Sequence, residues 1–202
     1  AEWRRVTPGS FIALSDDQSL EDSQKRLGIR APINFVVEHI DTFSDSKGLV
    51  IYYFFHLNDD VQPLLLMVKE VDGDIDTRIF YQASEFEPAT RQDIIDREQA
   101  FIFADPGTEQ WNAKKLKYVA DINYSTGDDQ KVNYVRKGQG ELHGPMSTMP
   151  ARSGLGTSYV TVVEYGADTA GAQNPELLII ERSSSPKSTG EVTLYLGAPI
   201  QR

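Results

Sequence analysis

GLVIYYFFHLNDDVQPLLLMVKEVDGDIDTRIFYQ, residues 48–82, holds the densest apolar material in the chain and reads as three consecutive β-strands. The first, 49–57, alternates Leu49, Ile51, Tyr53, Phe55 and Leu57 on one side with Val50, Tyr52, Phe54 and His56 on the other. β-Branched and aromatic residues in a run of this length fit a pleated strand, and apolar character on both faces fits a central one. A membrane helix needs ~20 apolar residues, about twice this run. Such a strand is either covered on both sides by its own chain or turns one face to a subunit interface.

The second and third strands, 64–71 and 75–82, meet at Val71-Asp72-Gly73-Asp74. Asp-Gly between apolar runs marks a two-residue type I′ turn, which needs φ > 0 at both central positions. Closing the turn there sets Lys69 opposite Asp76, Leu66 opposite Ile79 and Leu64 opposite Tyr81. A slip of one residue would set Glu70 against Asp76 and mismatch the apolar faces. The face with Leu64, Leu66, Val68, Ile75, Ile79 and Tyr81 is then expected to be buried. Asp72, Asp74 and Asp76 also have the spacing that opens a calcium loop. Thr77 stands where that loop needs Gly, however, and Ala83 where it needs Glu. The turn explains them.

Outward from this core, residues 10–14 and 33–43 read as strands before it. Residues 116–124, 131–136, 158–165, 177–182 and 191–196 read as strands after it. Two short peripheral helices are expected from capping boxes. One begins at Ser19-Leu20-Glu21-Asp22 and stops at Gly28; the other begins at Thr90-Arg91-Gln92-Asp93 and runs to about Ala100. The expected fold is therefore mainly β: antiparallel meander sheets forming a barrel-like or two-sheet body, in one globular domain over 1–202. The two strand groups echo one another in pattern. They are either sub-repeats, 33–103 and 111–202, or the chance likeness of two β-meanders. Residues 137–157, KGQGELHGPMSTMPARSGLGT, show almost no periodicity and read as a long loop, functional or disordered.

Composition narrows the function. The 202 residues are 40% hydrophobic and 25% charged, as in ordinary globular proteins. A net charge of −10 opposes binding to nucleic acid or anionic lipid, and no segment in view would insert into a membrane. Absence of cysteine removes disulfides, thiolate metal sites and cysteine nucleophiles together. It does not fix the compartment, for which the cytoplasm is a marginal preference. The chain opens with Ala-Glu-Trp instead of Met, which fits a processed piece of a longer chain and leaves an upstream leader or anchor open.

Phosphate loops, dinucleotide-binding glycines, zinc-protease motifs and nucleophile elbows are missing from the sequence. If Phe43 pairs with Leu49, His39 faces Tyr53 and His56 faces Val36, placing the two imidazoles on opposite faces; a one-residue shift restores a common face but leaves them diagonal and separated. No metal site is expected on either register, and no cofactor is expected. The leading reading is a non-enzymatic binding module with a protein partner or a second copy of itself. The alternative is a hydrolase-like enzyme under loop 137–157, using His143, Glu141 and Arg152. A further alternative is a domain for small ligands or carbohydrates, using Tyr52, Tyr124, Tyr134 and Tyr159.

Overall fold

The structure, a computed structural model, describes residues 2–13, 34–45, 47–58, 63–86, 121–125, 131–138, 142–150, 158–167, 175–185 and 191–200. Both expected helices, and residues 139–141 and 151–157 of the stretch read as a long loop from sequence, lie outside these. The described elements are a 3-10 turn at Glu2–Arg5 and eleven strands. The first five are β1 (Phe11–Ala13), β2 (Asn34–Ser44), β3 (Val50–Asn58), β4 (Leu64–Val71) and β5 (Asp74–Phe86). The rest are β6 (Asp121–Ser125), β7 (Lys131–Arg136), β8 (Leu142–Met149), β9 (Ser158–Ala167), β10 (Glu176–Ser183) and β11 (Glu191–Pro199). All pairings are antiparallel. No helix among the described residues is long and apolar enough to cross a membrane.

Two four-strand meanders, β2–β5 and β8–β11, close into an eight-stranded barrel. They join where β5 pairs with β11 and where β8 bridges β9 to β2. Strand β1 extends the free edge of β2, and the β6–β7 hairpin extends that of β9. A single apolar cluster draws on all eight barrel strands and is the interior. It contains Phe43, Tyr52, Phe54, Leu65, Met67, Phe80, Met146, Val160, Val162, Leu178, Ile180 and Tyr195. Side chains alternate along a strand, so the opposite faces look outward, and much of that surface is buried as well. Leu64, Leu66, Val68, Ile79, Phe55 and Leu57 pack outside against Ile12, Trp3 and Val6 of the N-terminal segment. The Trp3 ring lies 5.8 Å from that of Phe55, and Arg4 Nη2 donates to Glu70 Oε1 at 2.8 Å. Both faces of β3 are thus covered by this chain.

The β4–β5 hairpin has the expected register, with Lys69, Leu66 and Leu64 opposite Asp76, Ile79 and Tyr81. Its turn residues Asp72 and Gly73 have φ of 51° and 92°, the left-handed values a type I′ turn requires. A Cβ on Gly73 would meet nothing within 4 Å, so Gly73→Ala carries only the backbone penalty. The expected loss is about 1–2 kcal/mol. It should appear as a lower urea midpoint with an unchanged slope; an unshifted midpoint would contradict the turn assignment.

Strand β8 is a correction to the reading of 137–157 as one irregular loop, because 142–149 is the stave that closes the barrel. Its first half pairs with β9 and its second half with β2. Gly144 and Pro145 hide it from a propensity reading, and both have structural reasons. A Cβ on Gly144 would lie 2.4 Å from the Ser44 carbonyl oxygen and 2.9 Å from the Phe43 ring. Pro145 pairs only with Tyr159, on one side of the strand, so its missing N–H breaks no second ladder.

Candidate functional site

The inward faces at the two ends of the barrel are polar, and they differ. On β4 the inward residues run Leu65, Met67, Lys69; on β10 they run Leu178, Ile180, Arg182. Each strand ends inward on a cation, and the two cations lie at opposite ends.

At the Lys69 end the charges close on themselves. Glu164 Oε2 accepts from the Tyr52 hydroxyl at 2.8 Å and from Lys69 Nζ, while Oε1 accepts from Arg78 Nη1 at 3.0 Å. Arg78 also contacts Asp76 at 2.5 Å and Glu176 at 3.1 Å, and Lys137 pairs with Glu176. Three cations meet three carboxylates in a neutral plug. Burial alone would raise the pKa of Glu164, but Lys69, Arg78 and Tyr52 overcome it and hold the carboxyl below its ordinary value. Burial and the neighbouring Glu164 charge push the Tyr52 phenol up, so it stays a hydrogen-bond donor.

Among the described residues, the other end holds a cavity of about 280 Å³, lined by His39, Asp41, His56, Gln82, Met146, Thr148, Ser158, Arg182, Glu191, Thr193 and Tyr195. Asp41 is its centre, 3% exposed. Its Oδ1 accepts from Thr148 Oγ1 at 2.6 Å, and its Oδ2 lies 3.0 Å from His56 Nε2 and 3.4 Å from Arg182 Nη2. Burial by itself would raise the Asp41 pKa. The hydrogen bonds from His56 and Thr148, with the charges of His56 and Arg182, bring it down to about 2. Asp41 is therefore an anion at any neutral pH. Arg182 loses some basicity to burial and regains more from Tyr195, Asp41 and Glu191.

The histidines correct the register expected from sequence. Phe43 pairs with Tyr52, not Leu49, and that register sets His39 directly opposite His56; the strand pair becomes irregular only beyond them, between Val37 and His39. The two rings stack, with centroids 3.8 Å apart and planes 12° apart. The later start of β3 has a local cause. Asp45 Oδ1 accepts from the backbone N–H groups of Leu49 at 2.8 Å and Val50 at 3.0 Å, keeping Leu49 in the turn.

Of the residues singled out from sequence, those whose side chains are described lie elsewhere. His143 is exposed on the outer face of β8, its Nδ1 2.9 Å from Thr161 Oγ1; Glu141 and Arg152 lie outside the described residues. Tyr52 belongs to the plug, Tyr134 is buried in the outer core with Val132 and Val163, and Tyr159 alternates outward on β9. The Tyr124 side chain is outside the described set, although its backbone lies on β6. The described tyrosines of this group do not share a face. Sequence reasoning missed Asp41, Thr148 and Arg182, and gave His39 and His56 no common role. The available signal was His39-Ile40-Asp41, whose i, i+2 spacing on a strand puts imidazole and carboxylate on one face.

No protein-family model, curated protein or solved structure matches this chain.

Proposed function

We propose that the protein is a binding module that takes a small polar ligand into the mouth of the barrel. The observation carrying this is the cavity of about 280 Å³, where polar side chains from seven strands converge at one end of the barrel. An eight-stranded barrel is just wide enough to be packed solid or to hold one small ligand, and the polar lining selects for hydrogen-bonding groups. A thermal-shift screen of polar metabolites, run with chelator present, tests it. A ligand at ~100 times its dissociation constant adds ~2.7 kcal/mol, or about 5–10 °C for a chain of this size. Ser158→Phe, which fills the cavity from its rim, should abolish the shift. A flat screen, or a shift that survives this substitution, overturns the proposal.

The contact between Asp41 and His56 favours a second reading, an enzyme at the same cavity. A buried carboxylate that orients an imidazole is the arrangement of a general base. Product analysis on any ligand that shifts the melting temperature separates the two, since a binding module returns the ligand unchanged. A protein partner or a second copy would have to use surface other than β3. Light scattering reads self-association directly, as a doubled mass at high concentration.

A further inference from the structure

We infer that His39, Asp41 and His56 form a binding site for one divalent transition-metal ion at the barrel mouth. This deepens the ligand-site reading, since the ion would present open coordination positions to the cavity. The three side chains each offer one donor atom, and these atoms lie within 4.8 Å of one another. Two of them already have the right spacing: His56 Nε2 and Asp41 Oδ2 are 3.0 Å apart. Ligands ~2.0–2.2 Å from a common ion have that separation when they meet near a right angle. Ligands ~2.0–2.2 Å from one tetrahedral ion lie about 3.3–3.6 Å apart, so binding draws the most distant donor atom inward by as much as about 1.5 Å. Imidazole lone pairs lie in the ring plane, and those of two rings only 12° from parallel do not converge, so His39 must turn out of its stack with His56 to reach the ion.

The surroundings suit the same chemistry. Thr148 holds the second oxygen of Asp41 at 2.6 Å, an outer contact of the kind that fixes a ligating carboxylate. Two imidazoles and one carboxylate favour zinc, cobalt, nickel or ferrous iron over magnesium or calcium, which prefer all-oxygen sites, and the ion displaces to solvent the proton that His56 Nε2 shares with Asp41. The competing group is Arg182, 3.4 Å from Asp41 Oδ2. Tyr195 and Glu191 are its other partners and can retain it when the ion takes its place beside Asp41. Three protein ligands leave at least one position open, as in sites where a metal holds water or substrate.

Cobalt(II) titration of the chelator-stripped protein, with no organic ligand present, tests the site. The expected result is saturable one-to-one binding with visible absorption bands, displaced by zinc. His39→Ala or His56→Ala should weaken it at least tenfold, and Thr148→Val about tenfold, the usual effect of losing an outer contact. His143→Ala, on the outer face, should bind as the parent does. Should the histidine variants fail to fold, imidazole nitrogen spectra of the unaltered protein under zinc decide the matter. The chain has three histidines, and two should shift while His143 stays. No saturable binding overturns the proposal, as does an ion whose binding moves or requires His143. Failure here leaves the chelator-insensitive ligand screen to stand or fall separately.

Discussion

Glu164→Gln should lower the unfolding free energy by about 3–5 kcal/mol, the cost of removing one partner from a buried ion network. In a chain of this length that is a fall of roughly 6–20 °C in melting temperature. The glutamine keeps the shape of the side chain but leaves Lys69 and Arg78 without the carboxylate they share, and weakens the acceptor of the Tyr52 hydroxyl. The remaining charges are three cations against Asp76 and Glu176, a net positive charge in a confined barrel end. The pH dependence follows from linkage. The folded pKa of Glu164 is depressed, so as pH falls the unfolded chain takes up the proton first. The contribution is whole above the unfolded value, about 4.3, and fades as pH falls from there through the folded value. The gap between parent and variant should therefore be widest near pH 7 and shrink below about pH 4.3. A gap that stays constant down to pH 3 would mean that the plug is not what holds this end.

The elements read from sequence are those whose determinants are local. Asp72-Gly73 fixes both a turn and a register, so one dipeptide specifies how Leu64 through Tyr81 are paired. Strands β9, β10 and β11 were visible because each alternates or runs apolar over a full strand length. The β2–β3 register differs from the expected one because it depends on the Asp45 side chain capping its turn, which keeps Leu49 out of the strand. That cap has no strong sequence mark, and a slip in the β2–β3 register changes the partners of both His39 and His56. Closure of the barrel was invisible for a similar reason. It depends on β8, which contains Gly144 and Pro145 and alternates only weakly.

The candidate site was less legible than the fold because its residues are brought together only by closure. Asp41 on β2, Thr148 on β8 and Arg182 on β10 are separated by more than a hundred residues at the extremes, and the intervening chain gives no hint that they meet. What the sequence does show is that Lys69 and Arg182 each follow two apolar inward positions. Those cations mark the depth at which the apolar interior stops. The difference between the ends then lies in the carboxylates. Glu164, Asp76 and Glu176 saturate one end, while at the other Asp41 is shared among His56, Thr148 and Arg182.

The interior between the ends makes the second large prediction. Phe80 and Gly197 are directly paired across β5 and β11, and the Phe80 ring lies over the glycine. A Cβ at position 197 would fall 2.1 and 2.4 Å from two ring carbons and 2.6 Å from the Ile79 carbonyl oxygen. Gly197→Ala should therefore cost about 2–3 kcal/mol by overpacking, since the ring is 1% exposed and enclosed by the other seven strands. Phe80→Ala should cost about 3–5 kcal/mol through lost burial and the cavity left behind. The two substitutions are not independent. With the ring gone, the new methyl group at 197 occupies part of the vacated space, and only the Ile79 carbonyl still opposes it. The double variant should be less destabilised than the sum of the singles by about 1–2 kcal/mol, within the range seen for residues in contact. Urea unfolding of the four proteins measures that coupling. Additivity to within ~0.5 kcal/mol would place the Phe80 ring away from Gly197 and remove the reason for a glycine in the middle of a buried strand.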